Sequence, residues 1–441
     1  MAYEIVIGRS EKDKKKYGLK GSVFLGRHYV KMGQTTSLSS NLLLDVNRTH
    51  VVFVCGKRGS GKSYTMGSIA EGIADLPKEV KNNICTIIFD TMGIYWTMKY
   101  PNKKDAELLK QWGLEPKGLD INIYTPIGFY KQYKEKGIPT DFPFSIRPVD
   151  LTSSDWCLTF DIDQNAPSGV LLERVVTKLK KEGINFTISD IIKGIKADTK
   201  SNENDKNMVE NQFSKTKAWG LFSKEGTPIE DLTYGGKTII VDLSPYATQA
   251  GTWGIKSLVI GIICQRVFLE RMAARKTEEH TLLKEKTSYI KEEKKKIAIK
   301  TPLIWIMIDE AHEFLPFKGK TAATNALITI LREGRQPGVS LILASQQPGK
   351  IHTDVMTQAD TVLSHRLTAK IDVDALGKLM QSYMRHGLDE ELNKLPRVKG
   401  AAIVFDDLNE KLYPIQMRPR FTWHGGEAPI AIEKEEKEFE F

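Results

Sequence analysis

The sequence contains little cysteine: four residues, Cys55, Cys85, Cys157 and Cys264, in a chain of 441. No two of them form a C-x-x-C pair, so their spacing favours neither a zinc site nor a disulfide framework. Two lie in short apolar runs that are typical of strands, where a thiol behaves as a small apolar side chain. We therefore expect buried free thiols and a reducing compartment.

Long apolar runs are also missing. Leu258–Cys264 and Leu303–Ile308 are among the longest, well short of the roughly 18 residues that a membrane span requires. The N-terminal sequence MAYEIVIGRSEKDKKK carries charge where a secretory signal has its apolar stretch. The sequence therefore predicts a cytoplasmic protein with no membrane partner.

Positive charge is in excess, but it is unevenly distributed. The formal net charge is +9, and the segment 427–441 holds six Glu and two Lys, which leaves +13 on the rest of the chain. We interpret 427–441 as an acidic tail. A basic body suits a polyanionic partner such as nucleic acid, although a lysine-rich solvated surface explains the same charge.

Short apolar runs recur from residue 51 onwards, separated by helical or loop stretches. Runs that are apolar throughout, without alternation, indicate strands buried on both faces, as in a parallel sheet covered by helices. The predicted strands are 51–55, 86–90, 237–244, 303–310, 339–345, 360–367 and 400–406. The predicted fold class is α/β, with a mostly parallel sheet flanked by helices.

Three regions depart from this rhythm and define the predicted domains. Residues 1–46 have strand-like alternation in a segment too short for a complete barrel, so we predict a truncated, barrel-like β element. The main domain then covers 47–426. Within it, amphipathic patterns predict a helical insertion at 150–235, and dense charge of both signs predicts a helical arm at 265–300.

A phosphate-binding loop follows the first buried strand. The sequence matches G-x-x-x-x-G-K-[ST] in full and precedes a helical pattern, which is the context that this motif requires. Glycines let backbone N–H groups surround phosphates, a lysine supplies a positive charge, and the terminal hydroxyl is suited to Mg²⁺. The residues predicted to bind ATP are Gly56, Lys57, Arg58, Gly59, Ser60, Gly61, Lys62, Ser63 and the adjacent Tyr64.

Two adjacent carboxylates end the apolar strand at 303–310. Burying two acids at such a position is costly unless they serve an ion or a proton. We predict that Asp309 holds Mg²⁺ together with Ser63, and that Glu310 activates the attacking water. These roles predict a RecA-like P-loop NTPase that hydrolyses ATP.

Further candidate site residues lie on either side of the predicted strand 339–345. Gln346, or alternatively Gln347, directly follows the predicted strand 339–345, where an amide is suited to sense the γ-phosphate. An amide at a strand end with no such role explains the same residue. Arg332 and Arg335 are candidates for an arginine finger, which ring motors supply from a neighbouring subunit. Surface ion pairing with Glu333 explains the same two arginines.

Taken together, these motifs resemble the HerA branch of the HerA/FtsK family of hexameric DNA-pumping ATPases. The resemblance rests on collinear segments between about 47 and 426: NRTH, GKRGSGKS, DTMGIY, IDEAHEFLP, LREGRQPGVSLILASQQP and RPRFTWHGG. Three features differ from the family pattern: the N-terminal barrel is short, Ile94 replaces an acid, and the sensor strand ends in Gln-Gln.

The resemblance implies a homohexameric ring with ATP at the subunit interfaces and double-stranded DNA in a central channel. It also implies a nuclease partner of the NurA type in DNA end processing, and places Arg418, Arg420 and His424 near a nucleotide interface. Lys318 and Lys320 are candidate channel residues, although solvated loop lysines are the simpler reading.

Two other functions remain open from the sequence. One is a related ATPase that drives conjugation or secretion, although such relatives usually bring membrane segments or a large N-terminal domain. The other is an ATP-gated ring that scaffolds an effector, as in antiviral defence, without processive movement.

Overall fold

The computed structural model describes residues 4–32, 35–183, 185–247, 253–287, 301–379, 392 and 394–426. The predicted acidic tail and the end of the predicted charged arm, 288–300, lie outside these ranges. Within them, none of the helices combines the length and the hydropathy that crossing a bilayer demands.

The described residues form one sheet with an α/β layout around it. Its strands, in chain order, are β1 Ile5–Ile7, β2 Ser22–Met32, β3 Thr35–Asp45, β4 Val51–Cys55, β5 Ile84–Asp90, β6 Ile121–Pro126, β7 Phe142–Phe144, β8 Thr238–Asp242, β9 Leu303–Ile308, β10 Val339–Ser345, β11 Thr361–His365, β12 Ala401–Asp406 and β13 Lys411–Met417. The spatial order is β1-β3-β2-β13-β12-β11-β4-β10-β9-β5-β8-β6-β7.

The helices connect these strands and cover the sheet. They are α1 Glu11–Tyr17, α2 Lys62–Ala74, α3 Lys78–Lys81, α4 Ala106–Gln111, α5 Ile127–Glu135, α6 Ser153–Phe160, α7 Pro167–Lys181, α8 Ile188–Ala197, α9 Glu203–Thr216, α10 Trp253–Thr287, α11 Thr324–Glu333, α12 Thr353–Gln358 and α13 Lys370–Leu379. Short 3-10 helices lie at Tyr95–Lys99, Pro148–Asp150, Lys217–Trp219, Ile229–Leu232, Ser244–Tyr246, Ala311–Glu313 and Pro348–Lys350.

The sheet has a parallel core and an antiparallel wing. From β11 to β7 every neighbouring pair is parallel, and all seven strands predicted from the buried apolar runs lie in this core or at its border with the wing. On the other side, β12, β13, β2 and β3 pair antiparallel in turn. The α/β class with a mostly parallel sheet is confirmed. Strands β6 and β7 of the core and β13 of the wing were missed.

Alternating residues of the core strands pack on two hydrophobic layers, as the two-residue period of a strand requires. On one face, α2 buries Met66 and Ile69 against Val52 and Val54 of β4. On the other, Phe53 of β4 joins a cluster with α10, α11 and the helices α6–α9. Those four helices lie within the predicted insertion at 150–235.

The N-terminal strands continue the main sheet. Strand β2 pairs with β13 through Gly26–His28, so β1, β2 and β3 extend the wing. The predicted short β element is therefore made of strands, but these share a sheet with the core. The boundary placed after residue 46 stays a prediction.

Candidate nucleotide-binding and hydrolysis site

The phosphate-binding loop joins the carboxyl end of β4 to α2. Gly56 has φ +154°, and a Cβ there would lie 2.6 Å from the Cβ of His365, so a side chain does not fit. Gly61 has φ +115°, a conformation that glycine adopts without a steric cost. The glycines therefore allow the tight loop that presents the N-terminus of α2 to an anion.

Lys62 opens α2 and is 5% exposed. Its Nζ donates a long hydrogen bond of 3.4 Å to the carbonyl of Lys57 within the loop. Burial lowers the pKa of Lys62, and the nearby Glu310 and Asp309 oppose that shift. An ammonium buried in this way is stabilised by an anionic ligand, as a triphosphate would be.

Ser63 and Asp309 meet although they are 246 positions apart. The Ser63 Oγ donates to Asp309 Oδ2 at 2.5 Å, and Asp309 is 4% exposed. A hydroxyl and a carboxylate oxygen are ligands that Mg²⁺ accepts, with water and phosphate completing its shell. The donor set therefore fits the predicted metal, and no cluster of three or more His, Cys, Asp or Glu residues competes for an ion in the described ranges.

Glu310 stands beside this pair in a strained conformation. Its φ of 50° is left-handed, which is uncommon for a residue with a side chain. Gln346 Nε2 donates to its Oε1, while Oε2 is buried and has no hydrogen-bond partner in the part of the chain that the structure describes. Burial, and secondly the charge of Asp309, raise the pKa of Glu310. Of the two predicted sensor residues, Gln346 contacts the acid, whereas the Gln347 N–H donates to Ser345 Oγ.

Two residues beside the acids were not singled out from the sequence. His312 Nδ1 lies 3.6 Å from Glu310 Oε2 and 3.2 Å from Ser345 Oγ. Tyr95 is 1% exposed, and its hydroxyl lies 3.5 Å from the carbonyl oxygen of Ser63. His312 lies in the motif IDEAHEFLP and Tyr95 in DTMGIY, so the motifs identified these segments. They did not show that the two side chains lie beside Glu310 and Ser63.

His365, at the end of β11, connects α2 to β12 beside the phosphate-binding loop. It was not identified from the sequence. Its Nε2 lies 2.9 Å from Thr65 Oγ1 in α2, and its Nδ1 lies 3.1 Å from the carbonyl oxygen of Ala401. Burial lowers the pKa of His365 to about 4, so the ring is neutral. The neutral tautomer that satisfies both contacts donates from Nδ1 to Ala401 and accepts at Nε2 from Thr65.

The two candidate finger arginines are not brought to this site within one chain. Helix α11 runs from the end of β9 back towards the start of β10, so Arg335, which follows this helix, lies near the amino ends of the strands, opposite the loop. Arg332 Nε pairs with Asp354 Oδ2 at 2.6 Å, and the carbonyl of Arg335 accepts from Thr49 Oγ1, just before β4. A five-residue strand separates these amino ends from the loop by about 16 Å.

The C-terminal arginines expected near a nucleotide interface are engaged inside the chain. Arg418 Nη1 and Arg420 Nε each pair with the carboxylate of Glu71 in α2, at 3.0 and 2.9 Å, and all three are buried. The charges of the two arginines are therefore paired within the chain, and their position near a nucleotide interface stays a prediction. The His424 ring packs edge-on against Tyr64 at 5.2 Å, and the Tyr64 hydroxyl accepts from the Arg420 N–H.

The candidate channel lysines stand in the loop that follows β9. Lys318 and Lys320 are both exposed. Their exposure agrees with either reading of these residues, and their role stays a prediction.

The sequence and the fold of the chain are similar to those of known proteins. The family model for the central domain of the helicase HerA matches residues 25–267, more than half of the chain. The DNA double-strand break repair helicase HerA of Pyrococcus furiosus is 28% identical over 163 residues, 35% of this chain and 28% of that protein. The protein of the same name from Sulfurisphaera tokodaii is 22% identical over 352 residues, 75% of this chain and 57% of its own length.

The chain thus covers between about a quarter and just over half of the length of these two relatives. Among solved structures, VirB4 of Thermoanaerobacter pseudethanolicus superposes with a TM-score of 0.54 at 12% identity, covering 91% of this chain and 98% of that one. This likeness shows the fold alone. The chain belongs to the HerA helicase family, and its fold is that of a P-loop NTPase.

Proposed function

We propose that this chain hydrolyses ATP and works as a ring motor that translocates double-stranded DNA. The observation that carries the proposal is the contact between Ser63 and Asp309, with Lys62 and Glu310 beside it. These four groups provide an anion site, two metal ligands and a proton acceptor in one place, which is what phosphoryl transfer to water requires.

Each group has a proposed task in the reaction. The loop 56–63 and Lys62 bind the β- and γ-phosphates, and Ser63 and Asp309 would hold Mg²⁺. When bound, the metal supplies positive charge that neutralises the phosphate oxygens. Glu310 accepts the proton of the attacking water as the new O–P bond forms and the bond to the ADP oxygen breaks. A raised pKa makes Glu310 a stronger base than an exposed carboxylate.

Gln346 is proposed to couple phosphate state to movement. Its amide donates to Glu310 in this structure, and the same N–H cannot donate to a γ-phosphate at the same time. An amide that exchanges one acceptor for the other would shift the end of β10 when the phosphate is released. Gln346→Ala should therefore reduce DNA movement more than ATP binding.

Assembly is proposed to complete the site. Within the chain, Arg332 pairs with Asp354, and the carbonyl of Arg335 accepts from Thr49 just before β4, so a finger role requires a neighbouring copy. We propose a homohexamer in which one of the two arginines faces the neighbour's γ-phosphate. Mixing Arg335→Ala subunits with Glu310→Gln subunits should restore turnover only if the arginine acts between subunits.

The proposed polymer is double-stranded DNA, and the proposed partner is a nuclease of the NurA type or another effector. Family membership and the repair helicases among its relatives support this choice. The positive net charge of the chain agrees with a polyanionic substrate.

The test combines particle mass, ATP turnover and displacement of a protein roadblock from linear duplex DNA. A six-subunit particle with DNA-stimulated, Mg²⁺-dependent turnover and directional displacement is expected, with Glu310→Gln as the inactive control. A ring that hydrolyses ATP without responding to DNA would overturn the motor and favour the ATP-gated scaffold. Absence of Mg²⁺-dependent hydrolysis would overturn the enzymatic assignment itself.

A further inference from the structure

The first helix and the loop after it display lysines away from the nucleotide site. In α1 and its following loop, the side chains of Lys12, Lys15, Lys16 and Lys20 are exposed. Among the described residues none of the four makes an ion pair with a carboxylate, and the Lys16 ammonium lies over the Tyr17 ring at 4.9 Å. We call these four residues the lysine patch.

The patch repels itself. Lys12 is three positions before Lys15 and four before Lys16, so the three side chains share one face of α1. Like charges at these spacings destabilise a helix by about 0.2–0.5 kcal/mol per pair. A helix of seven residues has too few hydrogen bonds to form alone in water, so other contacts must hold it.

A buried arginine supplies those contacts. Arg9 is 1% exposed, and its Nε donates to Asp45 Oδ1 at 2.9 Å. The same guanidinium donates to the carbonyls of Gly18, Lys20 and Gly21, directly behind α1. The loop that carries the end of the patch is therefore held in one conformation by a buried charged group.

The nearby acids are occupied by other cations. Asp13 accepts two hydrogen bonds from Arg48, at 2.8 and 2.9 Å, and Glu11 pairs with Lys14 at 2.8 Å. Lys14 is the main cause that lowers the pKa of Glu11, with smaller contributions from Lys411, at the start of β13, and from Lys15 of the patch. The face that remains exposed to solvent is accordingly positive.

We infer that the lysine patch binds the phosphate backbone of double-stranded DNA outside the nucleotide site. The lysines on this face repel one another, so a polyanion that binds there would stabilise the helix. Flexible ammonium groups bind phosphates as point charges, which requires no contact with the bases. Since Asp13 pairs with Arg48, just before β4, the patch lies at the sheet edge opposite the phosphate-binding loop. The choice of DNA over an acidic protein rests on the proposed function.

The test is duplex binding without nucleotide, measured across a salt series. The variant K12Q/K15Q/K16Q removes three charges from the patch, and K131Q/K134Q/K136Q removes three exposed charges in and after α5 as a matched control. If each patch lysine contacts one phosphate, the salt slope of the first variant should fall by about 2 to 3, with affinity at low salt at least about five-fold weaker. The control should bind as the wild type does.

A photocrosslinking side chain at the exposed Leu19 should attach to bound duplex, whereas one at Gln132 should not. Equal slopes in both triple variants, or no crosslink from Leu19, would overturn the inference, and a patch that binds polyglutamate but not duplex would do the same. The readout is binding without ATP. Failure of the motor proposal therefore leaves a patch-dependent salt slope intact, and failure of the patch leaves DNA-stimulated turnover intact.

Discussion

Two groups of buried charges, one at the nucleotide site in the parallel core and one of arginines beside the antiparallel wing, differ in what they contact. At the nucleotide site, Lys62 donates a long hydrogen bond to its own loop, with Glu310 and Asp309 nearby. Glu310 has one buried oxygen without a hydrogen-bond partner among the described residues. In the wing, Arg9 pairs with Asp45, and the segment after β13 brings Arg418 to Glu71. Removing one partner of a buried ion pair leaves a costly unpaired charge, whereas a buried charge that is incompletely paired can serve a ligand.

The largest effect on stability is expected from substituting Glu71, the partner of the two buried arginines. Glu71→Ala leaves Arg418 and Arg420 buried without their carboxylate, which should lower the free energy of unfolding by about 3–5 kcal/mol. Denaturant unfolding measures this loss. Glu71→Gln, which keeps the shape and some hydrogen bonds, should lose less. If Glu71→Ala unfolds like the wild type, the ion cluster does not secure the C-terminal segment to α2.

The core should respond in the opposite way at Glu310. Glu310→Gln removes the proton acceptor and should reduce ATP turnover by about 10²-fold or more while ATP binding remains. Its free energy of unfolding should stay close to that of the wild type, because a buried acid with a raised pKa gains little from being charged. Steady-state hydrolysis and binding of a fluorescent nucleotide measure the two effects. Unchanged turnover would remove Glu310 as the base.

A pH series sharpens the comparison at His50, which joins the core to the wing. His50 lies between Asp45 and Asp360, with Arg9 also on Asp45, and these carboxylates raise its pKa to about 9 despite burial. A raised folded pKa gives stability that is complete below about pH 6.5 and is lost as the pH rises towards 9.

The slope of the unfolding free energy between those values should approach about 1.4 kcal/mol per pH unit. His50→Gln has no charge to lose, so its stability should be flatter across the same range. Parallel pH profiles for the two proteins would contradict the paired, charged histidine.

The smallest expected effect is at Thr65. Thr65→Val keeps the shape of the side chain but leaves Nε2 of the buried His365 without its donor, which should cost about 1–2 kcal/mol. Thermal unfolding measures the loss. The control is Thr329→Val in α11, at a half-buried position where the hydroxyl donates only to the carbonyl of Asn325 in its own helix, among the described residues. A cost equal to that of the control would mean that His365 does not position α2.

Prediction from the sequence was most successful in the core, for a local reason. Seven apolar runs, six of them in the core and β12 at its border, were recognised as strands because burial on both faces leaves a continuous apolar pattern in the local sequence. Strand β7, with the sequence Phe142-Pro143-Phe144, was missed because three residues containing a proline give no strand pattern. The continuation of the sheet into the wing was also missed, because the pairing of Met417 with Gly26 has no local signal.

The same contrast applies to the site. Lys62, Ser63, Asp309 and Glu310 were predicted from motifs, and the structure brings them together, while their roles stay proposals. His365 could not be predicted, because its role arises from contacts with residues far away in the chain.

The sequence by itself determined the loop, the strand that ends in two acids, and the alternation of buried strands with helices, because each depends on neighbouring residues. Only the tertiary structure decided which charges are paired. It paired Arg418 and Arg420 with Glu71, and Arg332 with Asp354. The physical reason is that pairing depends on distance in space, which a chain of 441 residues acquires only when its strands are ordered into one sheet.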